Sequence, residues 1–378
     1  MGRSYQLLDE DTLQHIESMA DKILLEIGVR LQDDLPTIDM LRRIGAIVDG
    51  NLVRIDGATL RAQIAFAPKQ FEWRGTEANK SVTIGNEHPV FAPCFGPPMV
   101  QRDPELRRAG VLRDYRDLVE LYDRSALLGT TGYLCCIAHD AAQEDVHLRM
   151  AEVHLEISGK PMMGCVLSEQ ALIDVADMAG ASADEASCSL LHMINTTPPL
   201  VYQVNPLQCL RAAALRGQAC MVSSYMMSGA TGPVSVKGCL AQGLAEVMIG
   251  LALTQIYRPG TPIVGGIFAT PFSMRYMGPE FGSPQAYLAQ IAGIQLIHRL
   301  GIPSRGDGML TSSKTNDAQA GYEGTGTVNA SLFGGADLIL HSTGWLEFGR
   351  TIDFAKCRWD EQVVRQEIQS AQAVPHIP

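Results

Sequence analysis

Over residues 1–86 the apolar positions keep helical spacing in short stretches. Leu13, Ile16, Met19, Ala20, Ile23 and Leu24 fall on one helix face, and Gly28 offers a stop. A second short helix is predicted over roughly Pro36 to Ile44. Ala46 to Ile55 then forms two apolar runs around Asp49-Gly50, a hairpin signal. A third helix from Ala58 to Phe66 ends at Ala67-Pro68, where proline stops propagation. The pattern predicts a small α+β cap over residues 1–86, without a full core of its own.

From 87 to 378 a different beat takes over: short apolar strand, polar or glycine-rich loop, amphipathic helix. The predicted strands are 90–95, 126–135, 161–166, 189–195, 220–225, 262–268, 303–307 and 336–341. Helices are predicted between them near 113–124, 144–158, 169–181, 206–216, 235–257, 283–300 and 317–333, with a last one near 358–370. Strand–helix alternation implies a parallel sheet with right-handed crossovers. Eight such units, with strands too short and apolar to face solvent, fit an α/β fold of the (β/α)8 TIM-barrel type better than an open doubly wound sheet.

Composition narrows the function classes. A chain of 378 residues with 46% hydrophobic and 19% charged residues can bury a large core. The net charge of -11 argues against a nucleic-acid or anionic-membrane surface, which would need clustered Lys and Arg. No uninterrupted apolar run reaches the roughly 18 residues of a membrane span. The N-terminus, MGRSYQLLDEDTLQ, is too polar for a signal peptide, so a cytoplasmic location is expected. The nine cysteines show neither CxxC pairs nor zinc-type spacing and are expected to be reduced, buried thiols. No metal site is expected.

In a barrel of this kind chemistry sits at the C-terminal ends of the strands. Those positions are Phe95, Tyr133, Asn195, Tyr225, Phe268, Arg305, Asp307 and His341. The loop after the seventh strand adds Lys314 and Asp317, and its helix adds Gln319 and Glu323. Aromatics are only 6% of the chain, yet four of them fall at strand ends. Ring faces around one or two carboxylates suit a poorly hydrated cation; the plainer reading is that these rings plug the barrel mouth as core. Asp307, between Gly306 and Gly308, reads either as a site carboxylate or as a turn residue. His341, at a strand end, is a better site candidate than the helical His147, His154 or His298. Ser228 to Pro233 precedes a long helix but matches neither GxGxxG nor a Walker loop. No HExxH, GxSxG or kinase motif is present.

The loop Gly308-Met-Leu-Thr-Ser-Ser-Lys314-Thr-Asn-Asp317-Ala-Gln319-Ala-Gly-Tyr-Glu323 resembles the signature loop of the trimethylamine methyltransferase family. Further segments are similar in the same order: Ile27-Gly-Val-Arg30, Ser228-Gly-Ala-Thr-Gly-Pro233, Gly282-Ser-Pro284, Gly301-Ile-Pro303, Gly334-Gly-Ala-Asp337 and His341-Ser-Thr-Gly-Trp-Leu-Glu347. The resemblance covers nearly the whole chain. It implies a (β/α)8 barrel that passes a methyl group from an amine to the cobalt of a separate corrinoid protein.

Founding members carry pyrrolysine two residues after the loop glycine, where this chain has Leu310. Without that electrophile the resemblance points to a quaternary amine such as glycine betaine, whose methyl a Co(I) nucleophile displaces directly. The enzyme then mainly positions and desolvates its substrate. Asp307 and His341 are the implied polar anchors, Arg305 a partner for a substrate carboxylate, and Leu310 and Glu323 further substrate-binding positions. Asp145-Val-His147 begins like a corrinoid lower-ligand loop, but Met150 replaces its glycine. No tightly bound cofactor is therefore expected, and the corrinoid arrives on a partner. Family members usually continue beyond the point where this sequence ends, which leaves a homo-oligomer contact and turnover itself open. Two other readings stand beside this one: a Schiff-base aldolase or lyase using Lys314, and a shortened relative that binds quaternary amines without turnover.

Overall fold

A computed structural model describes residues 5–373, apart from 33, 104–105 and 182–187. The N-terminal periodicity yields helices Glu10–Lys22, Leu35–Arg43 and Gly57–Ile64, with Ile47–Asp49 and Leu52–Arg54 paired antiparallel. Asp9 and Asp56 cap their helices by accepting the backbone N–H of Thr12 and Thr59. Strands Val29–Leu31, Phe71–Trp73 and Val82–Ile84 were not expected, the last two paired antiparallel. Val29–Leu31 joins the hairpin and also pairs in parallel with Val201–Tyr202, from a loop of the barrel-like region. Helices Glu10–Lys22 and Gly57–Ile64 pack on the long helix Val236–Tyr257, so Ile16, Leu60 and Leu244 share one core. That 22-residue helix is apolar and long enough to cross a membrane by composition, but 94% of its apolar window is buried here. The apolar-run criterion passed over it because Gln242 and Glu246 interrupt the run.

The rest of the chain is TIM-barrel-like. Its regular strands are β1 (Val90–Phe91), β2 (Met162–Met163), β3 (Leu190–Asn195), β4 (Ala219–Ser228), β5 (Ile263–Ser273), β6 (Arg305–Asp307) and β7 (Leu338–Leu340). Parallel pairing runs β2–β3–β4–β5 in one sheet and β6–β7–β1 in another. Single parallel bridges continue the order, Gly265 to Ser304 and Phe91 to Leu128. Helices follow each strand segment: Leu112–Asp123, Val146–Ile157, Glu169–Met178, Val204–Leu215, Val236–Tyr257, Pro284–Arg299, Ala318–Gly334 and Phe354–Ala373.

The segment predicted as a strand over 126–135 departs from expectation, since only Leu128 makes a bridge. Side-chain bonding competes with the ladder there: the Thr130 hydroxyl donates to the Pro161 carbonyl at 2.6 Å and accepts the Gly132 N–H at 3.0 Å. Tyr133 is thereby turned into the core instead of ending a strand. A four-stranded sheet beside the mouth was also unforeseen. It orders Trp345–Leu346, Thr351–Asp353, Met99–Asp103 and Leu106–Ala109. Beneath it, Lys356 and Asp360 form a fully buried pair at 2.6 and 2.7 Å, and Asp360 also accepts the Gly344 N–H at 2.7 Å.

Burial holds Asp360 up, at about 6, against the pull of Lys356. Asp360→Ala strands a buried ammonium and is expected to cost roughly 3–5 kcal/mol, read as a fall in the denaturant midpoint. Burial pushes His192 down to about 4, so the native state holds it neutral while the unfolded chain takes a proton below its ordinary 6.5. Its stabilising contribution is therefore lost as pH falls from 6.5 towards 4. Between pH 7 and 5 the wild type should lose on the order of 2 kcal/mol more stability than His192→Gln; equal losses would contradict this.

Candidate functional site

The C-terminal ends of β3 to β7 open into a cavity of about 490 Å³. Its floor is built by β6. Arg305 and Asp307 point the same way because side chains two apart on a strand share a face, and both are more than nine-tenths buried. The Arg305 guanidinium donates to Asp307 Oδ1 at 2.7 Å and to Ser223 Oγ at 3.0 Å. It also lies 4.3 Å over the Phe268 ring. Gly266 leaves the room for this stack: a Cβ there would come within 2.8 Å of the Phe268 ring and 3.0 Å of Ser223 Oγ. Burial raises the Asp307 carboxyl, and Arg305 opposes the shift. The floor carries one positive and one negative group in contact.

His341 follows β7, and its Nε2 lies 3.9 Å from Asp307 Oδ1. The Phe95 N–H donates to Nδ1 at 3.2 Å, so the ring proton sits on Nε2. Burial, reinforced by the Arg305 charge, pushes His341 well below its ordinary range. It is a neutral imidazole offering one N–H towards the floor.

The walls are aromatic. Tyr225 stacks on Phe281 at 6.1 Å, Phe281 meets Trp345 edge-on at 5.8 Å and Phe348 at 6.4 Å, and Trp345 meets His341 at 4.5 Å. The Trp345 indole N–H donates to the Thr311 carbonyl at 3.2 Å, which orients the ring. Among the described residues, five non-glycine positions have positive φ: Leu200, Met277, His341, Glu347 and Phe348. All lie in the three loops that follow β3, β5 and β7, the loops that supply Pro198, Pro279, Trp345 and Phe348 to the cavity. Left-handed backbone at such residues costs about 1–3 kcal/mol each and clusters where a site is held in shape.

Of the residues singled out in the sequence, Phe95, Asn195, Tyr225, Phe268, Arg305, Asp307, Leu310 and His341 all line this cavity. Two expectations fail. Tyr133 is buried elsewhere, its hydroxyl donating to the His147 carbonyl at 2.9 Å. Glu323 stands behind the wall, accepting from Thr311 Oγ1 and the Ser312 N–H, both at 2.7 Å, because the helix that carries it packs outside the strand ends. Phe268 lines the cavity, but the guanidinium covers one of its faces. Phe281, Trp345 and Phe348 lie away from the predicted strand ends, so the strand-end rule passes over them; Trp345 falls within the 341–347 segment that resembles the family. Lys314 is exposed and outside the cavity, its carbonyl accepting from Arg107 at 3.1 Å. A larger cleft of about 760 Å³ lies between helices Val146–Ile157 and Glu169–Met178, lined by Leu134, Met150 and Leu167. It lacks the buried ion pair and the ring cluster.

The trimethylamine methyltransferase (MTTB) family model matches residues 2–376. The glycine betaine methyltransferase of Desulfitobacterium hafniense (strain Y51) is 32% identical over 364 residues, covering 95% of this chain and 76% of that protein. The proline betaine:corrinoid methyltransferase of Eubacterium limosum is 27% identical over 380 residues, covering 96% and 75%. Trimethylamine methyltransferase MttB1 of Methanosarcina acetivorans is 25% identical over 392 residues, covering 99% and 78%. In structure, the monomethylamine methyltransferase (MtmB) of Methanosarcina barkeri superposes with a TM-score of 0.67 at 12% identity, covering 95% of this chain and 74% of that one. On this match along almost its whole length, the chain belongs to the trimethylamine methyltransferase family.

Proposed function

We propose that this enzyme transfers a methyl group from a quaternary amine of the betaine class to the corrinoid of a separate protein. The observation that carries the reading is the cavity itself: a cluster of ring faces above a floor whose charges cancel. A trimethylammonium head gains roughly 0.5–2 kcal/mol from each desolvated ring face. The relatives named for glycine betaine and proline betaine support that substrate class. We further take the architecture as a closed (β/α)8 barrel behind a cap of residues 1–86; the bridges Gly265–Ser304 and Phe91–Leu128, with the Met163 N–H donating to the Gly132 carbonyl at 3.1 Å, support closure.

The partner's corrinoid supplies the cobalt nucleophile that accepts the methyl. This chain's residues do the rest. The ring walls bind the ammonium head and exclude water from it. The methyl carbon–nitrogen bond breaks with its electron pair going to nitrogen, so the leaving tertiary amine is neutral and needs no proton from His341. That suits an imidazole held neutral, which can orient a substrate oxygen through Nε2–H. Arg305 commits one N–H to Asp307 and one to Ser223, and the rest of its five guanidinium N–H groups are the cationic donors at the floor for a substrate carboxylate. Leu310 presents an apolar side chain at the lining, a surface against which methyl groups pack.

The test is methyl transfer from glycine betaine to a Co(I) corrinoid protein, followed by the absorbance change on cobalt methylation. Trp345→Ala is expected to weaken substrate binding roughly twofold to thirtyfold. Lys314→Ala should leave the rate within about twofold, as expected of an exposed surface change. Binding without cobalt methylation across several quaternary amines would overturn the methyltransferase reading for this chain.

A further inference from the structure

Asp307 cannot supply the cavity with net negative potential, since Arg305 neutralises it at 2.7 Å. Among the described residues, two other carboxylates stand close behind the wall with no Lys or Arg ion pair. Glu323 is half-buried and bonds Thr311 and Ser312, which do not line the cavity. Glu246, on the long helix Val236–Tyr257, is fully buried, and its side chain bonds directly to a lining residue.

Four donors converge on the Glu246 side chain. Thr196 Oγ1 and Ser224 Oγ each donate to Oε2 at 2.6 Å, and the Leu200 N–H and Gln242 Nε2 donate to Oε1 at 2.8 and 2.9 Å. They occupy the lone pairs of a carboxylate and leave it uncompensated by any cation. The Thr196 proton is committed to Glu246, so Thr196 can offer the cavity only oxygen lone pairs. A charge-assisted bond to a carboxylate polarises that oxygen further. Glu246 also accepts from the Leu200 N–H, at one of the positive-φ residues of the loop that carries Thr196, Thr197 and Pro198 along the wall.

We propose that Glu246 is the positioning and specificity-determining residue for the cationic head: it holds the Thr196–Pro198 wall and, through the Thr196 hydroxyl, makes that wall negative. The inference rests on the quaternary-amine reading of the cavity. It separates two sources of affinity, ring faces that favour any trimethyl group and a buried charge that favours only a cationic one.

The experiment compares glycine betaine with 3,3-dimethylbutanoate, the same shape with carbon in place of the charged nitrogen, in calorimetric titrations of the whole chain. Tetramethylammonium is titrated beside them. Wild type should prefer glycine betaine. In Glu246→Gln that preference should fall about tenfold, the scale of one charge acting across a partly solvated site, with dimethylbutanoate affinity held or improved. Thr196→Val should reduce the preference in the same direction, and Thr196→Ser should restore it. A purely structural role would weaken both ligands equally, and that result, or an unchanged ratio in folded Glu246→Gln and Thr196→Val proteins, overturns the inference while leaving the amine reading standing. Wild type that binds neither glycine betaine nor tetramethylammonium overturns both.

Discussion

A guanidinium buried to 6% exposure at the centre of a barrel-like fold needs a counter-charge beside it, and the mouth of this protein is organised around that requirement. Arg305 bonds Asp307 on its own strand, bonds Ser223 on β4 and stacks on Phe268 of β5. One side chain therefore ties together three strands. Removing Asp307 would leave an uncompensated buried cation; removing Arg305 would leave a buried carboxylate that burial already pushes up. The same contacts cancel the floor's charge. Selectivity for a cation then has to come from the walls, which is why the rings and the carboxylate behind Thr196 carry so much of the functional account.

Those walls are held by buried polar contacts lying outside the cavity. Asp360, paired with Lys356, accepts the Gly344 N–H and so anchors the loop that presents Trp345. Glu246 does the same for the loop after β3, whose strand Val201–Tyr202 continues onto the N-terminal strand Val29–Leu31. The N-terminal strand is thus connected to the cavity wall through one hydrogen-bonded ladder and one carboxylate. Walls held in this way favour orientation of a ligand, the contribution that the direct displacement proposed above would need most.

Much of this was legible from residue order. The strand–helix beat gave the barrel-like fold because apolar periodicity switches cleanly between strand and helix after residue 87, and the strand-end rule then singled out Asn195, Tyr225, Phe268, Arg305, Asp307 and His341, which line one cavity. It failed for Tyr133, where a threonine hydroxyl takes over the backbone bonding a strand would need. It could not see Phe281 or Phe348, since they reach the cavity through loop paths that depend on left-handed residues such as Met277 and Phe348 itself. Nor could it see Glu246, a lone acid in an apolar helix, whose role emerges only once Thr196 is found 2.6 Å away. Leu310 was readable only by family likeness. Nothing in its own neighbourhood distinguishes it from core.

The central claim is that a quaternary ammonium sits among these rings above the Arg305–Asp307 floor. A crystal structure with glycine betaine bound tests it most directly. The account predicts the trimethylammonium within about 6 Å of the Phe281 and Trp345 ring centroids, with the carboxylate turned towards the Arg305 guanidinium and His341 Nε2. Betaine bound instead in the larger cleft beside Met150 and Leu167, with this cavity holding only water, would contradict it.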